Sequence, residues 1–124
     1  MKNRINIIKK LFKSWKNKDI SIMEKYFSHN IVYKDWSGTR HNGKENVKKC
    51  FIDKNINGNI VQKLSINRII SEKNAMAVEW YFKGMVNILK NCVEQNEIKY
   101  SGVLILDFDE NNEVMSIKEF WGMY

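Results

Sequence analysis

The hydrophobic and polar residues of this chain follow two different periods, and the change between them falls near residue 60. Before that point, apolar residues recur every three or four positions, which is the spacing of one face of an α-helix. After it, apolar and polar residues alternate, as they do along a half-buried strand. The pattern therefore predicts a helical first part and a sheet-forming second part.

Three helices are predicted in the first part. The first ends near Asn17, and its apolar stripe consists of Ile5, Ile8, Leu11, Phe12 and Trp15. Asp19 is the predicted N-cap of a short second helix that reaches Phe27, because a side-chain oxygen there accepts a hydrogen bond from an unpaired backbone N–H. Asn42, with Glu45 three residues later, resembles a capping box and predicts the start of the third helix.

Five strands are predicted. One comes early, at residues 31–36, after Ser28-His29-Asn30 interrupt the preceding pattern. The other four span residues 60–71, 75–89, 98–109 and 114–122, and polar turns join them. Helices followed by hairpin-linked strands predict an α+β fold with a mostly antiparallel sheet. The early strand is the exception, and the pattern assigns it no partner.

Glu119 is predicted to lie on the inner face of the sheet. The more apolar set of each alternating strand is expected to face the helices. Glu119 falls in this set, next to Trp121 and on the same face as Trp80 and Phe82. A buried, unpaired carboxylate costs roughly a few kcal/mol. We therefore expect Glu119 either to pair with a cation, such as a lysine or Arg68, or to line a cavity.

Asp35 is a second acid in an apolar setting. It ends a strand that begins with three apolar residues, Trp36 follows it, and His41 lies in a glycine-bearing loop shortly afterwards. Asp35 either caps the turn or points into the same cavity as Glu119. Two acids in one aromatic-walled pocket would suit proton transfer, because such a pocket tunes how strongly each acid holds its proton.

The opposite face of the predicted sheet carries an apolar stripe, which consists of Tyr81, Val103, Ile105 and Phe120. An exposed stripe of this kind is usually covered by a partner. We therefore expect a homodimer that forms through this outer face.

Composition and charge narrow the possible functions. At 124 residues, the chain is expected to form a single domain spanning residues 1–124. The net charge of +7 raises the question of nucleic acid, but the lysines of the first helix lie largely off its apolar stripe and no RNA-binding motif is present. Lysines also interrupt the first apolar run, so neither a signal peptide nor a membrane span is expected. We expect a cytoplasmic protein that binds no nucleic acid and no membrane.

Cys50 and Cys92 have no Cys or His neighbour at metal-ligand spacing. We expect both thiols to be reduced and structural, and we expect no metal and no cofactor. The chemistry of a site would then come from ordinary side chains.

The order of these elements resembles a known family, the SnoaL-like, ketosteroid-isomerase-like branch of the nuclear transport factor 2-like superfamily. The similarity lies in a long helix, a short helix at residues 19–27, a strand ending in Asp35 and a third helix after Asn42-Gly43. It continues through a meander that ends in FDENNEVMSIKEFWG and so covers nearly the whole chain. The resemblance implies a cone: a curved, mostly antiparallel sheet wrapped on three N-terminal helices, with an internal pocket.

The resemblance to the isomerase also implies roles for individual residues. Its general-base aspartate corresponds to Asp35, and its pocket aromatic on the last strand corresponds to Trp121. Its two oxyanion donors correspond to Leu11 and Leu104, which cannot donate a hydrogen bond, so steroid isomerisation by that route is not expected. SnoaL-like cyclases use an Asp and a His, and His41 is the nearest candidate for that histidine.

These observations lead to three functional hypotheses. The first is an enzyme without metal or cofactor that cyclises, isomerises or dehydrates a small, largely apolar molecule bearing carbonyl or hydroxyl groups. Asp35 is its predicted general base, with Glu119 or His41 as second proton carrier. The predicted pocket walls are Leu11, Trp15, Trp36, Trp80, Phe82, Tyr100, Leu104 and Trp121. The alternatives are a non-catalytic binding domain, which the missing oxyanion donors favour, and a protein-interaction module.

Overall fold

The computed structural model describes residues 2–53, 59–86 and 96–123. Within these ranges the chain forms three α-helices and six strands. In chain order they are α1 (Lys2–Asn17), α2 (Ser21–Tyr26), β1 (Phe27–Lys34), β2 (Arg40–Asn42), α3 (Lys44–Phe51), β3 (Asn59–Glu72), β4 (Ala75–Val86), β5 (Asn96–Phe108) and β6 (Val114–Met123). In the same residues, no helix is both long and apolar enough to cross a membrane.

All six strands belong to one sheet, in the order β2-β1-β6-β5-β4-β3. β1 runs parallel to β6, and every other pair of neighbours is antiparallel. The sheet is curved and does not close on itself, and the helices cover its inner face. The predicted α+β fold with a curved, mostly antiparallel sheet is therefore confirmed.

The first strand differs most from the prediction. It begins at Phe27, which pairs with Val114 of β6, so Ser28-His29-Asn30 continue the strand and do not interrupt it. The pairing with β6 shifts in register between Phe27 and Val32. This irregularity masks the alternation that normally marks a strand. β6 is also the partner that the sequence pattern did not assign.

Both predicted helix caps are wrong. Asp19 lies two residues before α2, and its Oδ1 accepts hydrogen bonds from the backbone N–H and the hydroxyl of Ser21 at 2.9 and 2.8 Å. The N-cap of α3 is Gly43, at φ +86°, without a side-chain hydrogen bond. Asn42 belongs instead to β2, as does His41, which the sequence placed in a loop. The predicted strand end at residues 87–89 and Cys92 lie outside the described residues.

One arginine ties the start of α1 to two hairpins. Arg4 Nε donates to Asn112 Oδ1 at 2.8 Å, and Arg4 Nη1 donates to Asn74 Oδ1 at 2.9 Å. The two asparagines lie in the β5–β6 and β3–β4 turns. The guanidinium also lies over the ring of buried Phe108, 5.4 Å from its centroid. The helix is thereby fixed on the sheet, and its buried side chains are Ile7, Ile8, Leu11, Phe12, Ser14 and Trp15.

Gly102 of β5 makes room for two tryptophans on the inner face. It pairs with Trp80 of β4 on one side and with Trp121 of β6 on the other. A Cβ at this glycine would lie 2.1 Å from the carbonyl oxygen of Phe120, 2.7 Å from Trp121 Cβ and 2.8 Å from Trp80 Cζ2. Because the closest of these atoms belongs to the backbone, any side chain here would force the strands to shift.

Gly102→Ala is therefore expected to destabilise the protein by about 1–3 kcal/mol or more, the usual cost of overpacking. Gly122→Ala is the matched control, because a Cβ at Gly122 meets nothing within 4 Å. Chemical denaturation of both variants measures the free energies of unfolding. Equal stabilities would contradict the close packing of Trp80 and Trp121 against Gly102.

Candidate functional site

Five polar side chains come together on the inner face of the sheet where β1 ends. We call this group the polar cluster, and its members are Tyr33, Asp35, His41, Cys50 and Glu119. Tyr33 pairs with His41 across β1 and β2, while Asp35 directly follows β1. Cys50 comes from α3, which packs over β1 and β2, and Glu119 comes from β6.

Asp35 anchors the loop between β1 and β2. Only 8% of its surface is exposed. Its Oδ1 accepts hydrogen bonds from the backbone N–H groups of Ser37 and Thr39, both at 3.0 Å, and from the Ser37 hydroxyl at 2.6 Å. Asp35 therefore caps the turn through Oδ1, and its Oδ2 faces His41.

His41 is oriented by this carboxylate. Its Nε2 lies 3.2 Å from Asp35 Oδ2. An ionised carboxylate only accepts hydrogen bonds, so this contact places a proton on Nε2 and leaves Nδ1 of the neutral ring as the basic nitrogen. The half-buried thiol of Cys50 lies 3.6 Å from the same Nε2. Among the described residues, no group of three or more His, Cys, Asp or Glu side chains is placed to hold a metal ion.

Tyr33 is a buried phenol among acidic groups, and 1% of its surface is exposed. Burial is the largest cause that raises the pKa of this phenol above its ordinary value. The neighbouring Glu119, Cys50 and Asp35 raise the pKa further, and so does a hydrogen bond with Glu119. Tyr33 therefore stays protonated at neutral pH and keeps its hydroxyl as a donor.

Aromatic rings extend from the polar cluster in two series. Trp15 stacks on Phe51 with ring centroids 4.9 Å apart, and Phe51 stacks on Tyr33 at 4.8 Å. Tyr33 in turn stacks on His41 at 5.5 Å. The second series consists of Phe82, Tyr100, Trp121 and Trp36, with successive centroids 5.1, 4.7 and 4.7 Å apart.

The predicted wall residues differ in their exposure. The buried ones are Leu11, Trp15, Trp80, Phe82 and Leu104. Tyr100 and Trp121 are half-buried, whereas Trp36 is 55% exposed and packs edge-on against Trp121. Trp36 therefore lies at the boundary with solvent and not in the interior. The indole N–H groups of Trp15 and Trp80 are buried and find no hydrogen-bond partner within the described part of the chain.

Glu119 lies on the inner face, as the alternation predicts, and it is half-buried opposite Leu104. Arg68 was one of the predicted partners of Glu119. Its Nη2 lies instead 3.9 Å from Glu79 Oε2, and its side chain is 66% exposed. An irregularity in the pairing of β3 with β4 between Ile66 and Arg68 places the arginine beside Glu79. The pairing of Arg68 with Glu119 is therefore wrong.

Tyr33 and Cys50 were not among the predicted site residues. A signal for Tyr33 was present, because Ile31, Tyr33 and Asp35 alternate and must share one face of a strand. No such signal exists for Cys50. Its contact with His41 depends on how α3 packs over β2, which no local pattern encodes.

The sequence matches no protein-family model and no curated protein. Solved structures do match. An epoxide hydrolase/cyclase-like enzyme, SalBIII, reported for pyran ring formation in the polyether salinomycin, is 17% identical with a TM-score of 0.81. The match covers 98% of this chain and 92% of that one.

Two further solved structures have the same architecture. A putative SnoaL-like polyketide cyclase from Shewanella denitrificans OS-217 is 15% identical with a TM-score of 0.80, and the match covers 98% and 92% of the two chains. A hypothetical protein from Catenulispora acidiphila, with a ketosteroid isomerase-like fold and bound trimethylamine, is 14% identical with a TM-score of 0.71. That match covers 92% of this chain and 83% of the other. At these identities the similarity concerns the fold, and it confirms the fold that the sequence resemblance implied.

The raised pKa of Tyr33 gives a prediction for alkaline pH. Above about pH 10, the ordinary pKa of tyrosine, the unfolded chain ionises at this residue and the folded chain does not. The stability that Tyr33 contributes is therefore present below pH 10 and is lost as the pH rises further. In an ultraviolet titration of the wild type, we expect one phenolate to appear after all the others. This last signal should be missing in Tyr33→Phe. It should remain in the control Tyr81→Phe, and its survival in Tyr33→Phe would contradict the assignment.

Proposed function

We propose that this chain, which has the fold of the SnoaL-like and ketosteroid-isomerase-like proteins, binds a small, largely apolar molecule in the cone and performs metal-free acid–base chemistry on it. The observation that supports this most is the contact of Asp35 with His41 beside the buried Tyr33 hydroxyl, among aromatic rings. The expected substrate bears a carbonyl or hydroxyl group, because the polar cluster offers both proton acceptors and a neutral donor.

In this proposal, Asp35 and His41 act as one basic unit. The sequence assigned the general base to Asp35 itself. Oδ1 of Asp35 accepts three hydrogen bonds, and Oδ2 contacts His41. These contacts favour different roles for the two residues, in which Asp35 orients His41 and Nδ1 of His41 accepts the proton. A carboxylate that orients a histidine in this way also stabilises the imidazolium that forms.

Tyr33 and Glu119 take the remaining roles. When His41 removes a proton from a carbon next to a carbonyl, the C–H electron pair moves into an enolate and charge develops on the carbonyl oxygen. Once such an oxygen replaces Glu119 as the acceptor of the single Tyr33 proton, the neutral hydroxyl donates a hydrogen bond to it, which Leu11 and Leu104 cannot do. Glu119, which interacts with that hydroxyl, is the proposed second proton carrier.

The proposed reactions are cyclisation, isomerisation and dehydration, since each begins with a proton transfer of this kind. Cyclisation has support from two of the solved structures with this fold, which are described as cyclase-like. A non-catalytic binding domain is the second candidate. It is favoured by the apolar, buried Leu11 and Leu104 at the positions where the isomerase resemblance expects oxyanion donors.

Exchange of carbon-bound protons tests the base without knowledge of the natural substrate. β-Tetralone, a bicyclic aromatic ketone, is incubated with the protein in deuterated buffer, and loss of its α-proton signals is followed by NMR. A positioned general base is expected to accelerate exchange about 10²–10⁴-fold over buffer. Asp35→Asn and His41→Asn should each lose at least about tenfold of that acceleration.

Two features of the chain provide controls for this experiment. His29 is exposed on β1, so His29→Asn removes a histidine at a distance from the polar cluster and should leave the exchange rate unchanged. Asp35→Asn keeps an oxygen that can cap the turn, and its melting temperature shows whether the fold survives. If tryptophan fluorescence reports β-tetralone binding but exchange stays at the buffer rate, the binding-domain alternative replaces the enzyme.

We also propose that the chain forms a homodimer through the outer face of the sheet. The predicted stripe lies there: Val103 pairs with Phe120 between β5 and β6, and Ile105 follows on the same side of β5. Tyr81 lies on the same face of β4. Phe120 is 55% exposed in the single chain. This is a large exposed apolar surface for a residue on β6, which has a neighbouring strand on each side.

Sedimentation velocity at micromolar concentration is expected to give a dimer. Phe120→Lys should shift the protein to a monomer, because it places a charge in the centre of the apolar stripe. Ile20→Lys is the matched control, since Ile20 is 44% exposed in the connection between α1 and α2. A monomeric wild-type protein, or equal dissociation of both variants, would remove this interface.

A further inference from the structure

Three cations stand in one row on the outer face of the sheet. Arg40 of β2 pairs with Lys34 of β1, and Lys34 pairs with Lys118 of β6. Residues directly opposite each other on neighbouring strands point to the same face, and the strands lie about 4.7–4.9 Å apart. These three residues, which we call the cationic row, therefore place three positive charges on backbone positions that span about 10 Å.

No member of the cationic row forms an ion pair with a carboxylate in the part of the chain that the structure describes. Arg40 Nε donates to Asn42 Oδ1 at 3.0 Å, a contact that holds the guanidinium but does not neutralise it. Like charges directly opposite each other destabilise a sheet. An external anion would remove this repulsion.

The cationic row lines a groove of about 690 Å³. This volume lies in the usual range of small-molecule sites, about 300–1,000 Å³. The groove is also lined by three neutral polar residues, Ser28, Asn30 and Ser116, and by three apolar ones, Val32, Met115 and Ile117. The Ser116 hydroxyl donates to Asp107 Oδ2 at 2.6 Å, so it is not a donor for a ligand. Asp109 lines it too, and its Oδ1 accepts hydrogen bonds from the N–H groups of Asn111 and Glu113. These bonds hold the carboxylate within its own turn without neutralising it, so the groove lining carries three cations and one anion.

We propose that this groove binds a small phosphate-bearing molecule that carries two phosphoryl groups, of the size of pyrophosphate. A phosphate monoester carries about −1.5 to −2 charges and three acceptor oxygens, so two phosphoryl groups match three cations and leave oxygens for the neutral donors. The guanidinium of Arg40 suits a two-point contact with phosphate oxygens. A single carboxylate would leave cations of the row unpaired.

This site does not depend on the proposed acid–base function. Alternation along β1 sends Tyr33 to the inner face and Lys34 to the outer face, so the two sites lie on opposite sides of the sheet. The cationic row shares the outer face with the apolar stripe, since Lys118 pairs with Ile105, but it extends away from the stripe across β1 and β2.

Titration calorimetry with pyrophosphate, at constant ionic strength, tests the proposal on the full chain. We expect saturable binding with one site per chain. The double variant Lys34→Gln/Lys118→Gln should weaken this binding about tenfold or more, because two charge-assisted contacts are lost. Lys9→Gln/Lys13→Gln is the matched control, since it removes the same charge from exposed positions of α1. Its affinity should stay within roughly twofold of the wild type.

Three results would overturn the proposal. The first is no saturable binding at millimolar pyrophosphate. The second is an equal loss of affinity in both double variants, which would reflect the overall positive charge alone. The third is displacement of pyrophosphate by a single-stranded oligonucleotide, if the affinity for the oligonucleotide itself falls equally in both double variants. That result would indicate diffuse attraction to polyanions. The proposal would be supported if pyrophosphate binding is retained in excess sulfate at constant ionic strength and is lost only in Lys34→Gln/Lys118→Gln.

Discussion

The buried carboxylate of Asp35 is the constraint on which the candidate site depends. A carboxylate at the end of an inward-facing strand is tolerated only when its oxygens are hydrogen-bonded. Here the chain turns back so that Ser37 and Thr39 donate to Oδ1, and the returning segment pairs with β1 as β2. That pairing brings His41 opposite Tyr33 and within 3.2 Å of Oδ2. The acid–histidine contact is thus a direct consequence of how one buried charge is satisfied.

Much of the fold was predictable because long periodic segments carry their own signal. The apolar stripe of α1 and the alternation of the four later strands each extend over ten residues or more, and both predictions hold. Short elements carried no such signal. β2 has three residues, which are too few to show a period. The register shift in the pairing of β1 with β6 obscures the alternation in the first half of β1. The partner of β1 is distant in sequence, and pairing at such distances is decided by packing of the whole sheet.

The candidate site was predictable where strand alternation decides which way a side chain points, and not where helix packing does. Glu119 and Leu104 face inward as expected, because each sits at a fixed position in a regular strand. Trp36 lies two residues after the end of β1 and is exposed, since alternation no longer applies once the chain turns. The proximity of Cys50 to His41 arises from the placement of α3, and no local pattern carries that information.

β1 is the element in which the two proposed sites meet, and its register separates them. A shift of one residue in a strand exchanges its faces, which would turn Tyr33 outward and bring Lys34 into the apolar interior. The parallel pairing of Tyr33 with Ile117 and the antiparallel pairing with His41 hold the register from both sides. A buried lysine without a partner is far more costly than a buried, hydrogen-bonded phenol. The desolvation of Lys34 therefore opposes the shifted register, and the same charge that prevents the shift is available on the outer face to bind an anion.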